Sequence, residues 1–296
     1  MAAVQLTESR RGHAAMLGFS ALVAGSFSLG KLAAPLIDPA AITAARFAVA
    51  AVLVGAVAGL TRGFPRAALA APWRYLALGA LMAAYFVLMF EGLKTATAVS
   101  TAAVFTLTPV MAAGFGWLLL RQRTGARMAL ALALGAAGAL WVIFRGDLAA
   151  LIRLEVGRGE AIYFWGCAAH ALYAALVRKL NRGEPAIVFT FWTMVAGTAA
   201  MLVWGGPALL ATDWAALPGV VWVTLAYVSV AATAATFFLV QYAALRLPAA
   251  KVMAYTYLVP SWVILWELAL HGTVPAALVA PGVALTCVAL ALLLKE

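Results

Sequence analysis

Apolar residues fill long blocks of this chain, separated by short polar stretches, and the blocks show no alternation with a period of two. Ten blocks are long enough to cross a bilayer: 14–33, 39–60, 73–91, 96–120, 127–145, 159–179, 185–204, 216–243, 249–269 and 275–294. A helix needs ~20 apolar residues to cover ~30 Å of hydrocarbon. Continuous Ala/Leu-rich runs predict helices, since barrel strands would alternate between lipid and lumen. The eighth block is the longest of these and predicts a tilted or protruding helix. The run behind Ser9-Arg10-Arg11 is too long for a cleaved secretion signal and is read as the first helix.

The blocks repeat. Leu107–Leu120 reads LTPVMAAGFGWLLL and Leu258–Leu270 reads LVPSWVILWELAL, each Leu-x-Pro followed by an apolar run. Tyr85–Val99 and Phe237–Val252 correspond as well, each with a Leu-Lys or Leu-Arg step about 15 residues before its proline. Asp38-Pro39 opens the second block and Glu184-Pro185 the seventh, an acidic residue at the N-cap and proline at N1 in both. The halves, 1–150 and 151–296, hold five blocks each. Five is odd, so the second half must enter the membrane upside down. The predicted fold is an all-α polytopic membrane protein, ten transmembrane helices as two inverted five-helix repeats. That architecture belongs to secondary transporters, with the substrate near the midplane between repeats.

Composition names the solvent. The chain is 66% hydrophobic and 10% charged, with a mean hydropathy of +1.03, so lipid must face most of it. A net charge of +10 would suit nucleic acid, but the cations sit in short loops, as topology signals do. Arg10/Arg11, Arg62/Arg66/Arg74, Arg121/Arg123/Arg127, Arg178/Lys179/Arg182, Arg246/Lys251 and Lys295 share one side. The other has Lys94, Arg145, Arg153 and Arg158, the last three mixed with Asp147, Glu155 and Glu160. Both termini are therefore expected in the cytoplasm. Cys167 and Cys287 lie in apolar runs and predict no disulfide framework. No Walker, Gly-x-Ser-x-Gly or His-Glu-x-x-His motif occurs, so no nucleotide, cofactor or metal is expected. A polytopic lipid-modifying enzyme, the rival from another class, would need such a catalytic cluster.

Arg46-Phe47 with Ala50, Leu-x-Pro-Val at Leu107–Val110 and Leu-x-Pro at Leu258–Pro260 carry a family pattern. On these residues the chain resembles the drug/metabolite transporter superfamily in its ten-helix form with two EamA-type repeats. Within it, the chain is most similar to YddG-type amino-acid exporters. The resemblance implies a secondary transporter that exports aromatic and other neutral amino acids, or related small metabolites, by alternating access. A multidrug or nucleotide-sugar carrier is the alternative on the same fold. The family often ends its fourth and ninth helices in Gly-Glu; here Arg121-Gln122 and the region of His271 stand there.

Several residues are candidates for the site. Arg46 lies eight residues into its helix, ~12 Å deep, where a charge is costly and functional by default. It could anchor a substrate carboxylate, or bond helix carbonyls structurally; Thr43 shares its face. His170 stands mid-helix with Tyr163, Gly166 and Tyr173 on its stripe, fit to bind substrate, carry a proton or simply pack. Tyr85, Trp165, Trp192, Tyr255, Tyr257 and Trp262 fall near mid-depth and could line an aromatic pocket. Trp192 takes the place of Arg46 in the second repeat. Pro109 and Pro260 free the carbonyls of Phe105 and Thr256 and are candidate hinges, a static kink being the other reading. Gly55/Gly59, Gly114 and Gly135/Gly138 are read as close-packing positions.

Overall fold

The structure is a computed structural model that describes residues 2–153, 156–272 and 276–294. Glu155 and Lys295, counted above among the loop charges, lie outside them. Among the described residues, ten helices have the length and apolarity to cross a membrane. They are α1 (Glu8–Ala33), α2 (Pro39–Thr61), α3 (Trp73–Leu93), α4 (Ala98–Leu120), α5 (Ala126–Ile143), α6 (Arg158–Leu180), α7 (Ala186–Ala211), α8 (Gly219–Ala244), α9 (Ala249–His271) and α10 (Ala277–Leu294).

Their packing carries the predicted pseudo-two-fold. α2 packs on α7, α4 on α9 and α5 on α10, each helix on its own counterpart. The pairs α3·α6, α4·α6 and α3·α7 return as α8·α1, α9·α1 and α8·α2. At the α5–α10 crossing a Cβ on Gly138 would fall 2.6 Å from the Gly282 carbonyl oxygen, and one on Gly282 would fall 2.7 Å from that of Gly138. Only glycine lets the two backbones touch there. Gly55 and Gly135 also pack closely, under Phe191 and Tyr257, whereas Gly114 has no neighbour within 4 Å of its missing Cβ.

Polarity is distributed as lipid demands. Val52, Leu60, Val203 and Leu210 are 71–88% exposed, while Thr43, Arg46 and Gln241 are fully enclosed. Where no water reaches, polar groups must find partners inside the bundle. α1 is the most enclosed helix, and α5 and α10 are the least.

Three helices are interrupted. α4 is helical over Ala98–Phe105, turns, and restarts over Thr108–Leu120 with Pro109 in the first turn. α9 does the same through a 3-10 turn at Tyr255–Leu258, restarting over Val259–His271 with Pro260 in the first turn. The expectation was a bend within a continuous helix. The chain restarts instead, because a first-turn N–H has no intrahelical partner for proline to forfeit. The freed carbonyls are satisfied locally: Thr108 Oγ1 donates to Phe105 O at 2.7 Å, and the Val259 N–H to Thr256 O. Thr256 Oγ1 lies 3.1 Å from Thr108 Oγ1, so the two breaks touch. The restarted segments end in left-handed residues, Arg121 at φ 53° and Gly272 at φ 63°, each twelve residues past its proline.

The third interruption, a π-helical turn at Val230–Ala235 in α8, has no equivalent in α3, its counterpart in the first repeat.

Candidate functional site

α1, α3, α4, α6 and α8 converge on an aromatic cluster around His170. The imidazole is nearly parallel to Tyr85, Phe105, Phe19 and Tyr173, with centroids 4.6, 5.2, 6.1 and 6.3 Å away. Tyr163 Oη donates to Tyr85 Oη at 3.1 Å. His170 Nδ1 is buried and has no hydrogen-bond partner. Gln241 closes the far side, donating to Tyr173 Oη at 2.9 Å and accepting from Thr190 Oγ1 at 2.9 Å. A cavity of about 10 Å³ remains beside His170, walled by Tyr85, Phe86 and Phe237. That is room for about one water, so the centre is shut in this conformation.

Arg46 reaches across from α2 to the π turn of α8. Its Nε donates to Thr233 Oγ1 at 2.8 Å, and its Nη2 to the carbonyls of Ala232 at 3.1 Å and Val228 at 3.2 Å. A π turn misaligns the backbone ladder and presents carbonyls sideways, which suits a planar donor fork. The guanidinium carbon lies 3.7 Å from the centroid of Phe86, which also lines the cavity. Arg46 Nη1 has no partner, nor does Thr43 Oγ1 one turn earlier; both residues are fully enclosed.

The other candidates separate. Tyr255 and Trp262 of α9 lie along α1, Tyr255 Oη 3.1 Å from His13 Nδ1 and Trp262 Nε1 donating to Ser20 Oγ at 3.3 Å. Tyr257 is buried beneath Gly135. Trp192 meets Phe191 and Phe64 edge-on and Tyr75 at a tilt and is not part of the His170 cluster; its Nε1 lacks a partner. Trp165 is 68% exposed beside Phe164. Five residues along a helix turn ~140° away, so Trp165 cannot share the face of His170. Gln241 was not anticipated; the signal for it is an amide inside an apolar block, which lipid does not tolerate without partners.

A second constellation lies at the basic face. Arg74, 1% exposed, forms a 2.7 Å ion pair with Glu184, 8% exposed. Arg74 Nη1 also donates to Leu180 O at 2.6 Å and Nε to Ala71 O at 3.1 Å. Glu184 Oε2 accepts the Arg182 N–H at 2.7 Å. The start of α3 is thereby clasped to the α6–α7 turn, first repeat to second. Glu184 is not the expected N-cap: Pro185 holds that position without a side-chain cap, while Asp38 does cap α2 through the N–H groups of Ala40 and Ala41. Burial pushes the Glu184 carboxyl up, but the hydrogen bonds from Arg74 and Arg182 outweigh it and hold it below the usual glutamate range. At the opposite face, the start of α8 offers Thr224, donating to Leu29 O at 3.2 Å.

The architecture has relatives. The EamA-like transporter family matches residues 10–144 and 157–295, one match per repeat. A solved structure, described only as a crystal structure of a protein, has the same fold: TM-score 0.72, 97% of each chain covered, 20% identity. No curated protein matches the chain. With both repeats matched, ten membrane helices and an enclosed polar centre, the chain belongs to the EamA-like transporter family, the drug/metabolite type of multi-pass membrane transporter for small molecules.

Proposed function

We propose that the protein exports neutral amino acids, aromatic ones among them, or closely related small metabolites, across the cell's inner membrane by alternating access. The observation that supports this most is the pairing of Arg46 Nη1 and His170 Nδ1, two enclosed nitrogens without partners, the guanidinium packed on Phe86 and the imidazole lining the same small cavity as Phe86. A carboxylate would satisfy the guanidinium, and an aromatic or aliphatic side chain would stack within the Tyr85–Phe105–His170 rings. The hydroxyls of Thr43 and Tyr163 are acceptors for an ammonium group. A carrier of drug cations would want a carboxylate in this cluster; the enclosed acids Glu160 and Glu184 instead serve Ser100 and Arg74 near helix ends. The loop cations at the face of Arg62, Arg178 and Arg182 support a cytoplasmic position for that face and for both termini. Counterflow in proteoliposomes tests the reading. Vesicles loaded with unlabelled phenylalanine should accumulate labelled phenylalanine; exchange of tetraphenylphosphonium without exchange of phenylalanine overturns it.

In this cycle the repeats, 1–150 and 151–296, move against each other, and the touching breaks at Pro109 and Pro260 are the hinges. A restarted helix needs only a few dihedrals to re-aim its second half. Pro109→Ala and Pro260→Ala permit a continuous helix and should slow exchange about tenfold, a barrier change of ~1.4 kcal/mol, with equilibrium binding retained. If both variants exchange at the unmodified rate, the breaks are static.

A further inference from the structure

We infer that a groove in the basic-face half of the molecule is a site for one anionic phospholipid. The groove, a cavity of about 760 Å³, lies between α2, α7 and α8. Its floor follows α8 from Val230 in the π turn through Phe238 to Tyr242, and Leu53 and Val57 of α2 form a wall. The twelve steps from Val230 to Tyr242 rise ~18 Å, close to the ~15 Å of one hydrocarbon leaflet. Ala234 and Ala235 line the groove at the π turn, where their small side chains give it depth. Val57 and Val230 are 50% and 54% exposed, so the trough is open to a chain arriving sideways from the bilayer.

The other end is cationic. Arg62 and Arg246 both line it. Arg62 is exposed at the C-cap of α2 and has no ion pair among the described residues. Arg246 is held in place by Glu8 at 2.7 Å and by the Tyr242 carbonyl at 2.9 Å, with its guanidinium 3.5 Å over the Tyr242 ring. Glu184, the carboxylate in the lining, is taken up by Arg74. A leaflet-long apolar trough ending in two guanidinium groups complements a molecule with an acyl chain and an anionic head. A zwitterionic lipid would offer the chain without net charge, and free phosphate would offer the charge without the chain. The bound chain would lie against the π turn that Arg46 holds, so the lipid buttresses a wall of the central site.

Delipidated full-length protein in non-ionic detergent tests this by native mass spectrometry, with the thermal midpoint as a second reading. Phosphatidylglycerol should be retained at one copy about fivefold or more tightly than phosphatidylcholine, the weight of one arginine near an anionic headgroup. Arg62→Gln, at an exposed position, should reduce that retention to the phosphatidylcholine level. Val57→Trp, which fills the trough, should weaken both lipids, and inorganic phosphate alone should leave the midpoint unchanged. Equal retention of the two lipids, or a preference that survives both Arg62→Gln and Val57→Trp, overturns the site. So does a midpoint shift from inorganic phosphate as large as that from phosphatidylglycerol.

Discussion

Arg46→Gln is expected to lower transport about a hundredfold and to destabilise the protein, whereas Arg46→Lys separates the two effects. Three of the arginine's contacts are to α8, two within the π turn and one to Val228 just before it, and glutamine cannot reach all of them. Val228 O keeps the Thr233 hydroxyl as a donor at 2.6 Å, but a lost hydrogen bond from a charged group costs ~1.5–3 kcal/mol, so a loss of stability follows from the contacts to α8 alone. Loss of transport has two sources: a collapsed turn and a missing carboxylate partner at Nη1. Lysine keeps the charge and can satisfy one or two carbonyls, but it lacks the planar fork that engages the turn while aiming a further N–H elsewhere. Thermal stability of Arg46→Lys should therefore recover most of the way. Its affinity for phenylalanine should remain about tenfold or more below that of the unmodified protein, since a charged hydrogen bond is worth ~1.5–3 kcal/mol. Binding measured on purified Arg46→Lys decides between the roles. Normal affinity there would leave Arg46 as a structural brace and remove it from the substrate.

The contrast between Arg46 and its partners shows what the sequence could carry. A guanidinium eight residues into an apolar helix is conspicuous in any reading, because lipid penalises it wherever it points. Its partners are not: Val228, Ala232 and Thr233 lie 182–187 residues away, in an alanine-rich stretch with no sign of a π turn. The turn is spanned by a local bond from Thr233 Oγ1 to Val228 O at 2.6 Å, but the guanidinium that engages it comes from the other repeat and cannot be read from the local sequence. The ten helices and their inverted pairing were legible because hydrophobic length and the count of spans are properties of each block by itself. Pro109 and Pro260 were legible only in part. Proline reports a missing donor, but Thr108 and the Val259 N–H decide that the helix restarts instead of bending. His170 and Tyr85 were found by depth, and depth alone also brought in Trp165, which the helical rotation turns outward. Glu184 and Arg74 each had an adequate local reading, as a cap and as a loop cation. Their pairing spans 110 residues and leaves no periodic trace.

That pairing supports the second large prediction, an opening of the basic face in Glu184→Gln. The variant leaves the Arg74 guanidinium enclosed without its counter-charge, and breaking a buried pair this way costs ~3–5 kcal/mol. The cost falls on conformations in which the α3 start meets the α6–α7 turn, so the balance should move towards conformations open at that face by ~10²–10⁴-fold. At the opposite face the repeats are tied by hydrogen bonds and not by this pair: Glu160 accepts from Ser100 Oγ at 2.7 Å, Trp141 Nε1 donates to Leu278 O at 2.7 Å, and Asp38 caps its own helix. Spin labels at positions 66 and 182, both exposed and flanking the clasp, measure the opening directly once Cys167 and Cys287 are replaced by alanine. The pH dependence follows from the sign of the shift. Glu184 has a depressed pKa when clasped, so the pair's contribution is complete above the usual glutamate value of 4.5 and is lost as pH falls through the lower, clasped value. In the unmodified protein the label distance should stay short at neutral pH and lengthen only in that acid range. In Glu184→Gln it should be long at pH 7 and insensitive to acid. The double variant Arg74→Leu/Glu184→Leu supplies the sharper contrast, because replacing both members of a buried pair by apolar groups is often neutral or stabilising. It should close the face again and remove the acid response, with exchange slower than in the single variant if opening at this face limits the rate. A short label distance in Glu184→Gln at pH 7, with unaltered exchange, would mean that the clasp fixes a loop and does not gate the path.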